Sequence, residues 1–232
     1  MLRQQLQSVL QRIQQACERS GRPPSAVTLV AVTKGVAASR VQEAVALGIS
    51  DLGENRVQEA RDKRPAVQAD GPRIRWHLIG HLQRNKTGPA AELFDVIHSI
   101  DSSELVDALE RQAAGCGRTI EGLIQVNVSG EATKSGCRPE AAEQLAAALA
   151  RSPHVRFAGL MTLAPFSDDP EHARPHFRAL RALRDRLQSG TDTPLRLSMG
   201  MSHDFEVAIE EGADLVRIGT AIFGARDSGH TP

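Results

Sequence analysis

The chain has 232 residues, of which 28 are Lys or Arg and 28 are Asp or Glu, so its formal net charge is zero. This balance gives no support for a basic surface that binds nucleic acid or an anionic membrane. No apolar run is long enough to span a bilayer, and residues 1–5 do not lead into a signal-peptide core. The three cysteines are too widely spaced for a metal or redox motif, so we expect no metal site and a cytoplasmic location.

Apolar residues at helical spacing begin the chain. Leu2, Leu6, Val9 and Ile13 recur every three or four residues, which predicts an amphipathic helix over 2–18. Eight short apolar runs follow, and each has the composition and length of a buried strand. The predicted strands are 27–34, 50–53, 74–79, 96–100, 122–128, 155–160, 195–198 and 215–218.

Helical segments separate most of these strands. Ser39 with Gln42, and Asn55 with Gln58, have the spacing of a capping box and predict two helix starts. Pro139 suits the first turn of a third helix. The predicted helices are 39–48, 55–68, 101–115, 139–151, 170–188 and 203–211.

The alternation of strands and helices predicts the fold. Strands joined by helical crossovers pair in parallel, and eight such units predict a closed (β/α)8 TIM barrel with an extra N-terminal helix. An open, doubly wound sheet is the alternative. No linker or second-domain signal interrupts the chain, so residues 1–232 are expected to form one domain, with residues 1–20 packed on the barrel as the extra helix.

A lysine closes the first predicted strand. Five of the seven residues before Lys34 are β-branched, and a lysine in such a buried run is unusual because it needs a partner. In α/β proteins, ligands bind where the strands end. The amine is therefore either a functional group or a side chain that reaches out to water, and this stretch alone supports both interpretations.

Two loops at the other end of the sequence have the character of a phosphate site. Barrels of this kind commonly bind phosphate in the loops after strands seven and eight, and glycine there lets the backbone approach an anion. Hydroxyl groups in both loops can donate hydrogen bonds to it. The candidate residues are Ser198, Met199, Gly200, Gly219 and Thr220.

A second cation, Arg217, lies inside the apolar run of strand eight. It is either part of the site or one half of a buried ion pair. A lysine beside a phosphate cradle fits two chemistries. One is a Schiff base to a substrate, as in an aldolase, and the other is a Schiff base to pyridoxal phosphate.

Six segments carry a family resemblance that covers nearly the whole chain. They resemble the pyridoxal phosphate homeostasis protein family, whose members are single-barrel relatives of the N-terminal domain of alanine racemase. The segments are 32–34, 53–56, 76–80, 159–161, 197–202 and 216–224.

The resemblance implies a role for each matched residue. Lys34 would carry pyridoxal 5′-phosphate as a Schiff base, and Arg217 would face the pyridine nitrogen. The phosphate would be held by Ser198, Gly219 and Thr220, with the amides around Met199 and Gly200. The residues near the cofactor would also include Asn55, His77 and Met161.

The same residues argue against strong catalysis. An arginine does not give up its proton, so a ring nitrogen beside Arg217 stays neutral and draws electrons poorly. Related racemases use a tyrosine from a second domain as one of two bases, and this chain contains no tyrosine. The expected function is a monomeric carrier in vitamin B6 and amino-acid homeostasis, which holds pyridoxal phosphate and whose candidate partners are pyridoxal phosphate-dependent apoenzymes.

Two other functions stay open. The first is a weak racemase- or transaminase-like enzyme that acts on an unidentified amino acid. The second is a protein-interaction module, which would have to use the N-terminal helix or the polar loop at 129–136.

Overall fold

The barrel is closed. The computed structural model describes residues 1–69, 71, 73–131, 134–191 and 193–224. Each strand pairs in parallel with the next, and the last pairs with the first through Ala31 and Ile218. This closure confirms the predicted TIM barrel and rules out the open sheet. The strands are β1 Thr28–Val32, β2 Asp51–Glu54, β3 Arg75–Leu78, β4 Val96–Ile100, β5 Ile120–Gln125, β6 Val155–Met161, β7 Arg196–Ser198 and β8 Leu215–Ile218.

Helices lie on the outside of the barrel. In the part of the chain that the structure describes, no helix is both long and apolar enough to cross a membrane. The helices are α1 Leu2–Arg19, α2 Ala38–Ala46, α3 Val57–Lys63, α4 Thr87–Leu93, α5 Ser103–Gly115, α6 Ala142–Ala150, α7 Arg174–Gln188, α8 Phe205–Glu210 and α9 Thr220–Phe223.

The N-terminal helix α1 packs against α8 and α9. Its buried residues, among them Leu6 and Ile13, belong to the same hydrophobic core as the barrel helices. Arg12 fixes the orientation by pairing with Glu206 at 2.7 Å and by lying 4.6 Å from the ring centroid of Phe205. Because its apolar face is used inside the fold, α1 offers little to a partner. The other proposed interaction segment, at 129–136, lies partly outside the described residues.

Both helix starts that were predicted from capping boxes are wrong. Helix α2 begins at Ala38 after Ala37, so Ser39 lies within the first turn instead of capping it. Helix α3 begins at Val57 after Arg56, and Asn55 stays in the loop. The backbone at Asn55 is held by the loop after β3, since a Cβ on Gly80 would lie only 2.3 Å from the Asn55 carbonyl oxygen. Sequence spacing alone does not reveal such a constraint.

Two of the described helices, α4 and the short α9, were not predicted. Helix α4 contains Gly88 and Pro89, which are typical of loops. Pro89 is the third residue of the helix, where its missing N–H would have no helical acceptor, so the proline is compatible with helical structure there.

Ionic side chains close the barrel at the amino ends of the strands. Glu121 in β5 accepts a hydrogen bond from Arg75 at 2.7 Å and another from Arg156 at 2.5 Å. Arg196 at the start of β7 also donates to it. The open end of the barrel, where ligands bind in this fold, is therefore formed by the loops that follow the strands.

Candidate functional site

The pairing of β1 with β8 brings the loop after Lys34 beside the loop at Gly219. A Cβ on Gly219 would lie 3.2 Å from the carbonyl oxygen of Val32, the last residue of β1. On its other side Val32 pairs with Gly53 of β2. Lys34 is half-buried two residues beyond Val32, so its backbone lies at the mouth between the loops that follow β2 and β8.

A buried carboxylate contacts the residue that precedes Lys34. Glu54, the last residue of β2, is completely buried and accepts hydrogen bonds from the Thr33 hydroxyl at 2.6 Å and from Lys63 Nζ at 2.8 Å. Burial raises the pKa of Glu54, although Lys63 and Thr33 act against it. The second oxygen of the Glu54 carboxylate has no described partner, which makes this group depend on Lys63.

Lys63, together with Glu59, also fixes the backbone on both sides of Lys34. Lys63 Nζ donates to the carbonyl oxygen of Thr33 at 2.5 Å and to Glu59 Oε1 at 2.7 Å. Glu59 Oε1 also accepts from the backbone N–H of Gly35 at 2.5 Å. Both neighbours of Lys34 in the chain are therefore fixed to α3, which holds the turn that presents the amine.

The loop after β7 approaches α8 so closely that only glycine fits at position 200. Gly200 has a φ of +91°, and a Cβ there would lie 2.6 Å from the Cβ of Ala208 and 2.9 Å from the Cα of Phe205. Met199 beside it is buried, and its N–H donates to the carbonyl oxygen of Leu215 at 3.1 Å. The loop is thus held in place by the helix and by β8.

Backbone donors converge in the loop after β8. The N–H groups of Gly219 and Ala221 both point to the hydroxyl oxygen of Ser202, at 3.3 and 3.4 Å. These distances are long for hydrogen bonds, so the donors are only weakly satisfied by this oxygen. Thr220 between them is exposed at the mouth. Ser202 was not among the predicted site residues, although it is the second serine of the matched segment 197–202, and that was the signal that could have identified it.

Arg217 is buried at the carboxyl end of β8, and none of the described carboxylates forms a salt bridge with it. Its Nη1 donates to the Ser198 hydroxyl at 2.6 Å, and its Nη2 donates to the Thr162 carbonyl oxygen at 2.8 Å. Burial lowers the pKa of Arg217 to about 10, while Asp204 acts in the opposite direction. The guanidinium therefore remains charged at neutral pH, and its described partners do not make the buried ion pair that the sequence left open.

The hydroxyl of Ser198 faces the barrel interior. It accepts from Arg217 and lies 2.8 Å from Nδ1 of His98, with no exposed surface. The sequence predicted that this hydroxyl would donate to a phosphate, but both of its interactions are made inside the barrel. Any contact of Ser198 with an anion at the mouth would therefore use its backbone.

His77 also lies inside the barrel, completely buried below the mouth. Its Nδ1 is 2.9 Å from Nε2 of His98, and its Nε2 is 2.9 Å from Oδ1 of Asp51. A chain of side chains therefore runs from Arg217 through Ser198, His98 and His77 to Asp51. Burial lowers the pKa of both imidazoles, so both are neutral. Because Asp51 only accepts, Nε2 of His77 donates to it, Nδ1 of His77 accepts from Nε2 of His98, and Nδ1 of His98 accepts from the Ser198 hydroxyl.

The remaining predicted residues lie at different depths. Met161 ends β6 and is fully buried against Val30, Leu123 and Leu215 in the barrel core. Asn55 is half-buried at the mouth and lines a cavity of about 290 Å³ above the ends of several strands. The structure thus brings Lys34, Asn55 and the two glycine loops to the mouth, and places His77 and Met161 beneath it.

Acidification should destabilise the protein through His77 and His98. Burial lowers the pKa of both imidazoles, so the unfolded chain binds protons there before the folded chain does. The stability they contribute is fully present above the unfolded pKa, near 6.5, and is lost below it, by at most about 1.4 kcal/mol per pH unit for each histidine. Urea unfolding between about pH 7.5 and 5.5 measures the slope of the free energy of unfolding against pH. We expect His98→Gln to reduce the slope and the exposed control His172→Gln to leave it unchanged; equal slopes in all three proteins would contradict the assignment.

Comparison with known proteins identifies the family. Residues 4–227 match the family described as the N-terminal domain of alanine racemase. The pyridoxal phosphate homeostasis protein of Aquifex aeolicus is 45% identical over 224 residues, which cover 96% of this chain and 97% of that protein. The chain belongs to the pyridoxal phosphate homeostasis protein family. The family member of Escherichia coli is 43% identical over 227 residues, or 96% of this chain and 95% of its own length.

Solved structures agree with this family and with its fold. A protein of unknown function from Bifidobacterium adolescentis is 36% identical, with a TM-score of 0.89 over 96% of this chain and 94% of that one. PipY of Synechococcus elongatus, solved with PLP bound, is 37% identical, with a TM-score of 0.83 over 97% of this chain and all of PipY. An alanine racemase from Clostridium difficile shares the fold alone, at 16% identity and a TM-score of 0.73 over 98% of this chain and 57% of the racemase.

Proposed function

We propose that this protein binds pyridoxal 5′-phosphate, carries it as a Schiff base on Lys34 and serves pyridoxal phosphate homeostasis without robust catalysis. The observation that carries this proposal is the position of Lys34. The register of β1 with β8 brings the loop that bears this amine beside Gly219, where backbone donors converge. An amine and an anion cradle on adjacent strand ends are what a phosphorylated aldehyde requires.

The described residues fit the phosphate. The N–H groups of Gly219 and Ala221 are directed at one polar atom, the Ser202 oxygen, and are held there by long hydrogen bonds that an anion would replace with stronger ones. Gly200 and Thr220 complete the two loops at the mouth. When bound, pyridoxal phosphate supplies an aldehyde that condenses with a lysine amine. This chain supplies the amine, its fixed backbone and the anion donors.

The absence of strong catalysis is supported by the position of Arg217. It is a charged donor buried at the end of β8, on the interior side of the mouth. Facing the ring nitrogen, as the family resemblance implies, it would keep that atom unprotonated and so limit carbanion stabilisation. The chain also has no tyrosine to act as a second base.

Relatives support the same role, because they are named pyridoxal phosphate homeostasis proteins and one of them, PipY, was solved with PLP bound. We further propose that the protein acts in the cytoplasm as a monomer and delivers its cofactor to pyridoxal phosphate-dependent apoenzymes. We expect a recipient apoenzyme to recover activity faster from the loaded protein than from free cofactor at the same concentration. Both measurements are made in the presence of a reagent that captures free aldehyde.

Borohydride reduction followed by peptide mass mapping tests the anchor. The chain contains four lysines, Lys34, Lys63, Lys86 and Lys134, and the reduced adduct should be found on the peptide that contains Lys34. An adduct on another lysine, or no adduct, would overturn the proposal. Steady-state assays with a panel of amino acids test the remaining part, and a turnover on the order of 1 s⁻¹ or faster would contradict a non-catalytic role.

A further inference from the structure

A second cavity lies beside the mouth. It has a volume of about 490 Å³ and is formed by the start of α3 and the loop after β3. This volume is within the range of small-molecule sites. The cavity shares Asn55, Gly80 and His81 with the smaller cavity at the mouth, so the two adjoin. Asn55 is common to this cavity and the proposed cofactor site, but neither Lys34 nor Gly219 lines the cavity, so it adjoins the cofactor site without coinciding with it.

The walls of this cavity carry cations that the protein does not neutralise. Arg56, Arg61 and Lys86 line it, and within the described residues their charged groups have neither an ion pair nor a hydrogen bond. No Asp or Glu occurs among the described lining residues. Exposed arginines elsewhere are often paired, as Arg19 is with Glu210 at 2.7 Å. Three unpaired cations around one concavity create a local positive potential in a chain with no net charge.

The rest of the lining suits an organic group. Leu82 is buried and Val57 and Pro89 are half-buried, so they provide apolar surface. The amides of Gln58 and Gln83 add neutral donors and acceptors. Arginine has a planar fork of donors that matches phosphate oxygens, and lysine adds a point charge.

We infer that this cavity binds a small organic phosphate monoester at a site separate from Lys34. A dianion is favoured over a neutral ligand because all three charged groups that line the cavity are positive. A compact ligand is favoured over a protein surface because the cations face a concavity of small-molecule size. Binding does not require a Schiff base, so the site stays available when Lys34 carries cofactor.

Titration calorimetry with phenyl phosphate tests this inference, on protein loaded with pyridoxal phosphate and then separated from free cofactor by gel filtration, because the free cofactor is itself a phosphate monoester. Loading fills the cofactor site, and the visible absorbance of the bound cofactor reports whether the probe displaces it. We expect one saturable site that is weakened by added salt, since the cations are exposed. The double variant Arg61→Gln/Lys86→Gln should weaken binding at least tenfold. Inorganic phosphate should bind more weakly than phenyl phosphate, because it cannot use the apolar surface.

The matched control is Arg3→Gln/Arg151→Gln. It removes the same charge from exposed residues on other elements, and it should change the affinity less than twofold. Equal weakening in both double variants would show that net charge alone attracts the probe, and it would overturn the inference. Absence of saturable binding to the wild-type protein, or loss of the cofactor absorbance as the probe binds, would do the same. Thermal unfolding of both variants verifies that each is folded.

Discussion

Replacing Lys34 by Ala is expected to abolish both the visible absorbance of bound pyridoxal phosphate and the adduct trapped by borohydride. The Schiff base requires an amine at the mouth. Lys63 is buried and engaged by Glu54 and Glu59, so it offers no substitute. Lys86 follows the loop after β3 and lines the neighbouring cavity, which Lys34 does not line. The effect should therefore be complete.

Arg151→Ala provides the control, since it removes an exposed cation at the end of α6, away from the mouth. It should bind cofactor as the wild type does. Circular dichroism should show all three proteins equally folded, because Lys34 is only half-buried. A yellow Lys34→Ala protein that still yields a reduced adduct would show that the cofactor is anchored elsewhere.

Replacing Lys63 by Met should lower the free energy of unfolding by about 3–5 kcal/mol, the usual cost of removing one partner from a buried ion pair. The Glu54 carboxylate is completely buried, and its second oxygen already has no described partner. Without Lys63 its only described donor would be the Thr33 hydroxyl. The backbone carbonyl of Thr33 would also lose a hydrogen bond. Urea unfolding at neutral pH measures the difference.

A double-mutant cycle separates the ion pair from simple loss of packing. The variant Glu54→Gln/Lys63→Met should recover part of the lost stability, because a neutral amide is less costly to bury than a carboxylate. Arg151→Met, at an exposed residue, should change stability by no more than about 0.5 kcal/mol. If Lys63→Met proved as stable as Arg151→Met, the ion pair would not support the fold as the structure indicates.

The fold could be predicted from local patterns. Each strand of the barrel is a short apolar run, and the order of the runs decides the topology. Lys34 and the two glycine loops could be located because they lie next to strand ends. The start of α2 was misplaced because the Ser39–Gln42 spacing does not show which residue precedes the first helical turn. Helix α4 was missed because Pro89 is typical of a loop.

The contacts beneath the mouth could not be predicted, because the barrel must close before they exist. Ser198 and His98 are separated by 100 positions and meet only across the interior. Arg217 and Thr162 are separated by 55 positions. The position of Ser198 in a loop after a strand suggested that its hydroxyl contacts a phosphate, but in the structure the buried guanidinium of Arg217 donates to the same oxygen.

The oriented chain between Arg217 and Asp51 contributes, together with Asp204, to keeping the buried guanidinium charged. Burial raises the pKa of Asp51, but the hydrogen bond from His77 and the nearby Arg75 outweigh this effect, so the carboxylate stays ionised. Every neutral link between the two ends has its dipole aligned, with the negative end toward the cation and the positive end toward the anion. The charge of Arg217 is therefore compensated from the opposite end of the barrel as well as by Asp204, and neutralising Asp51 would alter the electrostatics of a site that it does not contact.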